Sequence, residues 1–395
     1  MRRVSNPYRG KPMSSQGMNV LKNLVSQKLS SIESKGRLRR LRPLHPRSGD
    51  WLDLTHNDYL SFRYDKDFQS TAHKASAEWP MGAGASRLLG GEHLVYEKLE
   101  AAFSCWKNCE SSLYFASGYA ANEALMTVLA LPEAEFFSDS LNHASLIDGL
   151  RLARLDKGQK HIFPHNDVEA LRDKLSKSQS SLKIVVTESL FSMDGDEAPL
   201  IELSALCREF KALLIVDEAH ALGVYGKRGS GLIEARGLDH DEIISINPCG
   251  KAMAAAGAFI SGPAWLRQYL INTGRSFIYS TGASPWIAAG MLATLPLIEA
   301  ATDRRQKLFA MSERLRHDLQ DLGFSIGTSS THIIPLLLGS EEKSLHVEQE
   351  LLGRHILARA IRPPTVPEGE CRLRLSLHAG LDHLEPLLKA LKEIG

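Results

Sequence analysis

One lysine stands alone in a long stretch of small and apolar residues. The segment from Ile244 to Gly262 reads ISINPCGKAMAAAGAFISG, and Lys251 is its only charged residue. A buried ammonium group is costly, so such a lysine either extends to water or loses its proton. Loss of the proton leaves a nucleophilic amine that condenses with carbonyl groups. Lys251 is therefore either a surface residue or a candidate for imine chemistry.

The other residues with useful chemistry follow apolar runs that are typical of β-strands. Asn57 follows WLDLTH, Ser117 and Gly118 follow LYFA, His143 follows EFFSDSLN, Glu188 and Ser192 follow IVVT, Asp217 and His220 follow LLIV, and Lys251 follows IISI. In an open parallel sheet, ligands bind beyond the carboxyl ends of the strands. The sequence therefore predicts that these residues gather along one edge of a sheet.

A lysine imine at such an edge indicates pyridoxal phosphate (PLP) as the cofactor. Asp217, at a strand end, would keep the pyridine nitrogen protonated, and His143 or Tyr119 would stack on the ring. Ser117, Gly118 and Tyr119 stand where a strand becomes a helix, and the amides of a helix N-terminus bind phosphate. The sequence thus offers a group for each part of the cofactor.

Each residue also has a purely structural interpretation. Asp217 would then be a cap, His220 a structural histidine and Lys251 a lysine that extends to the surface. Their order along one predicted sheet edge favours the PLP site over these separate explanations.

The elements that must position these residues alternate between strands and helices. The runs SSLYFAS, EAEFFSD, LKIVVTES and ALLIVDEA are apolar and rich in β-branched or aromatic residues, and helical patterns separate them. This pattern is typical of an α/β fold with a mainly parallel sheet covered on both faces by helices. From about residue 295, charged helices alternate with the strands THIIPLLLG and CRLRLSL, which indicates a smaller α+β domain. We therefore predict a helix and arm at 18–60, a large PLP-binding domain at 61–294 and a small C-terminal domain at 295–395. Residues 1–17 contain four basic residues and no acid, which indicates a disordered tail, with a targeting segment as the alternative.

Composition excludes several other classes of protein. The chain has 395 residues and a net charge of +1, so it lacks the basic surface expected for nucleic-acid or anionic-membrane binding. No apolar run approaches the roughly 18 residues of a membrane span. The five cysteines are scattered and do not match zinc-site spacing, which favours reduced thiols, no metal and a cytoplasmic location.

Three tempting motifs fail on their context. DEAH at 217–220 resembles a helicase box, but none of the Gly-Lys pairs is followed by the serine or threonine of a P-loop. GAGASR lacks the third glycine of a dinucleotide fingerprint. GFSIG precedes a strand-like run, where a hydrolase nucleophile elbow requires a helix.

From about Met18 onward the sequence resembles the α-oxoamine synthases. These PLP enzymes join an amino acid to an acyl thioester with loss of carbon dioxide. The matching blocks are NDYL, GAGASRLLGG, FASGYAANEAL, DSLNHASLIDG, TESLFSMDGDEAPL, VDEAHALGVYGKRGSG, CGKA and IYST. The resemblance implies a fold-type I PLP-dependent transferase.

The resemblance also implies roles for individual residues around the cofactor. Lys251 would hold PLP covalently, His143 would stack on its ring, and Asp217 would hold the pyridine nitrogen. Ser192 and His220 would lie near the phenolic oxygen. The phosphate would be bound by the amides of Gly118 and Tyr119, together with Ser280 and Thr281 from a neighbouring subunit, which implies a homodimer with shared sites.

On the substrate side, Arg374 would pair with the amino-acid carboxylate, and Arg39 and Thr365 would contact the acyl group, with Asn57 close by. The segment IRPPTVPEGECRLRLSL is similar to the biotin-pathway branch, which condenses L-alanine with a pimeloyl thioester. The acyl carrier, coenzyme A or acyl carrier protein, stays open. Reaction with glycine or serine and another acyl group is an alternative, and so is a catalytically silent subunit, which would be expected to lack Lys251.

One position departs from the family pattern. Relatives commonly have a threonine three residues before the lysine, and here that position is Pro248. Proline offers neither a hydroxyl nor an amide donor. We therefore expect weaker retention of the cofactor phosphate.

Overall fold

The computed structural model describes residues 15–41 and 51–394 of the chain. Within these ranges the chain begins with helix α1 (Ser15–Ser34), whose apolar side chains Met18, Leu21 and Leu24 are more than half exposed. Residues 15–17, predicted as part of the tail, therefore belong to a helix. The helix continues through Gly17 without a break. The rest of the predicted tail lies outside the described residues.

A seven-stranded sheet forms the centre of the larger part of the molecule. Its strands are β2 (Ser111–Phe115), β3 (Ala134–Asp139), β4 (Lys160–Phe163), β5 (Leu182–Glu188), β6 (Ala212–Asp217), β7 (Ile243–Pro248) and β8 (Ala258–Gly262). Their order is β2-β8-β7-β6-β5-β3-β4, and β8 runs in the direction opposite to the other six strands. The predicted mainly parallel sheet is confirmed.

Helices pack on the faces of this sheet and against one another. They are α2 (Lys66–Ser76), α3 (Leu94–Lys107), α4 (Gly118–Val128), α5 (Ala144–Leu152), α6 (Val168–Lys177), α7 (Leu200–Phe210), α8 (Leu232–Ala235), α9 (Ala264–Thr273), α10 (Arg275–Ile278) and α11 (Pro285–Glu299). Successive strand residues enter two separate cores: Ile184 and Val186 lie in one and Val185 in the other. Because side chains alternate across a strand, a continuous apolar run fills both faces.

The C-terminal part is a smaller α+β unit. An antiparallel sheet of order β11-β12-β9 contains β9 (Ile333–Gly339), β11 (Arg359–Ile361) and β12 (Cys371–Ser376), and packs with α12 (Thr302–Asp321), α13 (Glu341–Leu352) and α14 (Glu385–Ile394). The predicted domain boundary between residues 294 and 295 falls inside α11. This helix continues through Pro296 and ends at Glu299.

A two-stranded pairing joins the N-terminal arm to the small unit. Strand β1 (Leu52–Asp53) runs parallel to β10 (Ile356–Leu357) and lies outside the central sheet. The prediction that Asn57 follows a strand of the central sheet was therefore wrong. β1 has only two residues and finds its partner in the C-terminal part of the chain.

Among the described helices, no single one is long and apolar enough to cross a membrane. α11 and α12 pass that test only as a pair, and the pair is bent by 66° at its break.

Candidate active site

A cleft of about 380 Å³ opens at the carboxyl edge of the central sheet. Parallel pairing aligns the strand ends there, with Glu188 opposite Asp217 and Asp217 opposite Ile246. The structure brings most of the predicted cofactor residues together around this cleft. Its lining includes Ser117, Gly118, Tyr119, Asn122, His143, Ser145, Glu188, Asp217, His220, Pro248 and Lys251.

Lys251 lies on the connection that joins β7 to the antiparallel strand β8. The Tyr114 hydroxyl donates a hydrogen bond to the Ala256 carbonyl at 2.8 Å, and the Cys249 amide donates to the Gly257 carbonyl at 2.9 Å. Gly257 has a φ of +94°, and a Cβ there would lie 2.4 Å from the Tyr114 ring. The connection is thus held at both ends. Burial lowers the pKa of Lys251, against the opposing effect of Asp217 and Glu188, which favours the nucleophilic free amine.

Asp217 ends β6 and is buried. One carboxylate oxygen accepts the Ala219 amide at 2.9 Å, and the other accepts the Asn122 side-chain amide at 2.9 Å. These two donors fix the orientation of the Asp217 carboxylate at the strand end. Burial, with the nearby Asp217 charge, raises the pKa of Glu188 well above its usual range. Asp217 is therefore the better placed of the two carboxylates to hold a protonated pyridine nitrogen.

His143 caps the N-terminus of α5. Its Nδ1 accepts the Ser145 amide at 3.2 Å and lies 2.7 Å from the Ser145 hydroxyl. Partial burial lowers the pKa of His143, although the Asp217 carboxylate acts in the opposite direction. A neutral imidazole therefore borders the cleft, in a position open to a flat ligand.

The N-terminus of α4 supplies an anion cradle. Ser117 is its N-cap and accepts the Ala120 amide at 3.2 Å, which leaves the Gly118 and Tyr119 amides at the cleft. A Cβ at residue 118 would lie 2.9 Å from Pro248 Cγ, so a larger side chain would fill the cradle. Free amides at the positive end of a helix fit a phosphate group.

Arg374 on β12 is the centre of a second polar group. It is buried and donates to the Asn57 side-chain oxygen at 2.9 Å, to the Ser192 carbonyl at 2.5 Å and to the Tyr59 hydroxyl at 3.3 Å. The same hydroxyl lies 2.5 Å from His220 Nδ1. Burial lowers the pKa of His220 well below its usual value, so this imidazole is neutral. Tyr59 therefore connects the predicted carboxylate-binding arginine to a predicted cofactor residue.

Other predicted residues lie away from the cleft of this chain. Arg39, on the arm after α1, donates to the Thr365 hydroxyl at 3.3 Å, and both residues are exposed. Ser280 and Thr281 are exposed and border a separate small pocket. Ser192 does not line the cleft and contributes its carbonyl to Arg374. The structure therefore brings Arg39 into contact with Thr365. It does not bring Ser280 or Thr281 of the same chain close to Lys251.

Three polar residues of the site were missed from the sequence. Tyr59 stands two residues after Asn57, Ser145 two residues after His143, and Asn122 one helical turn after Gly118. The turn spacing of Asn122 places it on the side of α4 that carries Gly118. That spacing is the one signal from which Asn122 was predictable, because Tyr59 and Ser145 resemble ordinary core and helix-start residues.

Comparison with known proteins places this geometry in a family. The model of the family "aminotransferase class I and II" matches residues 49–391. The chain is 41% identical over 352 residues to the 8-amino-7-oxononanoate synthase of Cupriavidus necator, covering 86% of each protein. Serine palmitoyltransferase of S. paucimobilis, solved with a bound PLP–myriocin aldimine, superposes with a TM-score of 0.86 at 24% identity and covers 96% of this chain and 98% of its own. For 8-amino-7-oxononanoate synthase from Francisella tularensis the TM-score is 0.76 at 25% identity, with 87% of this chain and 97% of that chain covered.

Proposed function

The chain belongs to the class I and II aminotransferase family and, within it, to the 8-amino-7-oxononanoate synthases; we propose that it uses PLP to condense L-alanine with a pimeloyl thioester. The products are 8-amino-7-oxononanoate, carbon dioxide and the free carrier thiol, a step of biotin synthesis. The observation that carries this proposal is that one cleft is lined by Lys251, by the buried Asp217 and by the first residues of α4, whose amides suit a phosphate. The cytoplasm is the location we propose.

The residues around the cleft would hold each part of PLP. Lys251 would attach it, Asp217 would hold the pyridine nitrogen, and His143 would cover one ring face. The amides of Gly118 and Tyr119 would bind the phosphate. His220 and Ser192 remain the proposed neighbours of the phenolic oxygen. When bound, PLP supplies an electron sink for a carbanion at the amino-acid Cα.

The chain's own groups would then bind alanine and move its proton. Arg374, fixed by Asn57, Tyr59 and the Ser192 carbonyl, presents a guanidinium that suits the alanine carboxylate. This contact orients the carboxylate, which is the group lost as carbon dioxide. Lys251, as a free amine, takes the Cα proton and later returns one. Arg39 and Thr365 would contact the pimeloyl group from the exposed side.

We also propose a homodimer that shares its active sites. The apolar side chains of α1 are exposed along the described chain, as a surface awaiting a partner subunit would be. Ser280 and Thr281 are exposed and separate from this chain's own cleft, which suits a role in the site of the second subunit.

Thiol release from pimeloyl-CoA by the PLP-loaded protein tests the function, with L-alanine, glycine and L-serine compared. We expect release with alanine, abolished in Lys251→Ala and retained in Lys160→Ala, which removes an exposed lysine. Release with glycine or serine instead would keep the chemistry and overturn the substrate. If release requires pimeloyl-acyl carrier protein, the carrier is that protein. If thiol is released from neither thioester, the proposed function is wrong, and the protein is a catalytically silent subunit.

A further inference from the structure

A continuous line of side-chain hydrogen bonds joins Asp217 to His143. It passes through Asn122 on α4, which is 1% exposed, and through Ser145 on α5, which is also 1% exposed. The Asn122 side-chain nitrogen lies 2.9 Å from an Asp217 carboxylate oxygen and 2.8 Å from the Ser145 hydroxyl. The Ser145 hydroxyl lies 2.7 Å from His143 Nδ1. We call Asn122 and Ser145 the bridge.

The direction of every hydrogen bond in the bridge follows from its chemistry. An amide NH₂ has two hydrogens, and Asn122 donates one to Asp217 and the other to Ser145. If the amide oxygen and nitrogen of Asn122 were exchanged, the amide oxygen would lie against the Asp217 carboxylate, and two acceptors cannot form a hydrogen bond. The orientation of the Asn122 amide is therefore fixed. Ser145 therefore accepts from Asn122 and gives its one hydrogen to His143 Nδ1. The Ser145 backbone amide also donates to Nδ1, at 3.2 Å.

We propose that Asn122 and Ser145 are positioning residues that hold His143 as the neutral tautomer with its hydrogen on Nε2. Two donors on Nδ1 exclude a hydrogen there. The charged and titratable groups that face His143 are Asp217, Lys251, Glu188 and His220. The first two act on its pKa in opposite directions, Glu188 accepts its backbone amide, and His220 lines the same cleft. Burial lowers the pKa of His143, in agreement with a neutral ring. No other part of the proposed mechanism assigns a task to the bridge.

The catalytic value of the bridge rests on the proposed function. If Asp217 keeps the pyridine nitrogen of PLP protonated, a protonated His143 stacked on that ring would place two cations face to face. A neutral imidazole avoids this repulsion. Asn122, together with Ser145, therefore links Asp217, which would stabilise the pyridinium charge, to His143, which must stay uncharged where it stacks on the ring.

Asn247 provides a matched control for Asn122. It is fully buried, donates to two serine hydroxyls at 2.9 and 3.3 Å, and, like Asn122, has a side-chain oxygen without a partner in the described structure. It differs because its side-chain amide donates to Ser245 and Ser261 and not to a carboxylate or a histidine. Asn247→Ala therefore reproduces the loss of a buried amide without breaking the bridge.

The test is ¹⁵N NMR of histidine side chains in the full-length chain, with and without PLP, using His143→Asn to assign the signal. We expect an unprotonated Nδ1 in the unmodified protein. In Ser145→Ala and Asn122→Ala we expect the Nε2–H tautomer to lose its dominance and the pKa of His143 to change, with kcat about tenfold lower at a nearly constant alanine KM. Asn247→Ala should leave the His143 signal unchanged.

A protonated Nδ1 in the unmodified protein would overturn the proposal, and so would an unchanged His143 signal in Ser145→Ala. Ser145→Ala removes a single oxygen, so it tests the bridge even if Asn122→Ala does not fold. The NMR readout needs no turnover. An altered tautomer in a protein that releases no thiol would therefore sustain the bridge and defeat the proposed function instead.

Discussion

At the residue level, burial opposes charge on several groups in and beside the cleft. It lowers the pKa values of Lys251 and His220 and raises the pKa of Tyr59 to about 12. Asp217 and Arg374 instead have strong hydrogen-bond partners, Asp217 the Ala219 and Asn122 amides and Arg374 the Asn57 side-chain oxygen. The two groups that we propose for the pyridine nitrogen and the substrate carboxylate are therefore the two whose charged ends are held in place by polar contacts.

Pro248→Thr should strengthen PLP binding. Pro248 borders the phosphate cradle and packs against Gly118, but it has no donor to offer. One added hydroxyl can make a charge-assisted hydrogen bond, so we expect the PLP dissociation constant to fall about tenfold by equilibrium dialysis.

Pro263→Thr is the control for this change, because Pro263 precedes α9 at the opposite end of β8. It should leave PLP affinity unaltered. Equal affinity of Pro248→Thr and the unmodified protein would show that the cradle is already complete without a hydroxyl.

At the level of elements, His165 fastens several segments together. It lies 3.0 Å from Asp139 at the end of β3 and 2.9 Å from Asp196 in the loop after β5. Asp196 also accepts the Thr328 hydroxyl at 3.1 Å, just before the small sheet. Burial would lower the pKa of His165, but the two carboxylates outweigh it and raise the pKa to about 10.

His165→Gln should lower the free energy of unfolding by about 2 kcal/mol near neutral pH. The folded pKa lies above the ordinary value of 6.5, so the stabilisation is complete below pH 6.5 and is lost as the pH rises towards 10. Urea unfolding at several pH values should show the difference from the unmodified protein shrinking across that range. His161→Gln removes one carboxylate contact, with Glu135, and the stacking of the ring on Phe137, and it should cost less. A difference between His165→Gln and the unmodified protein that does not change with pH would contradict the assignment.

A second fastening joins the N-terminal arm to the small unit. Arg37 pairs with Glu341 at 2.6 Å and with Glu368 at 3.1 Å, and it stands two residues before Arg39, which contacts Thr365. Arg37→Ala should therefore loosen the proposed acyl-binding pair and raise the KM for the pimeloyl thioester severalfold, with kcat nearly unchanged.

Arg40→Ala is the matched control for Arg37→Ala, since Arg40 lies on the same arm and, among the residues that the structure describes, pairs with the exposed Glu33 at 3.5 Å. Steady-state kinetics with varied thioester should separate the two variants. If both variants had the same KM for the thioester, the N-terminal arm would not contribute to binding of this substrate.

The accuracy of the sequence predictions depended on the kind of element. β5 and β6 are continuous apolar strands, so their type and the placement of Glu188 and Asp217 at their ends followed from composition. β1 was placed wrongly because two residues carry no periodicity. The sequence does not distinguish β8 as antiparallel, since pairing direction has no residue signature. The bridge and Tyr59 were not predicted from the sequence, because their roles depend on contacts between segments that are distant along the chain.

At the scale of the whole molecule, shared sites make a prediction about mixed dimers. If Lys251 acts with Ser280 and Thr281 of the other subunit, co-refolding Lys251→Ala with a Ser280→Ala/Thr281→Ala double variant creates one intact site per mixed dimer. Activity should then rise well above that of either variant alone, towards about half of the unmodified value per mixed dimer.

Mixing Lys251→Ala with Asp217→Ala is the control, because both residues line the same chain's cleft and no intact site can form. Rescue in both mixtures, or in neither, would contradict sites completed by the second subunit.

The strand order has a consequence for synthesis on the ribosome. β2 leaves the ribosome early, yet it lies at the sheet edge and pairs only with β8, where Phe115 is opposite Ala258. Until β8 has been made, β2 presents an apolar strand with both edges unpaired, the form most prone to association with other chains. Completion of the site waits even longer, since Arg374 is near the end of the chain. We therefore expect nascent chains that stop between β2 and β8 to depend most on chaperones.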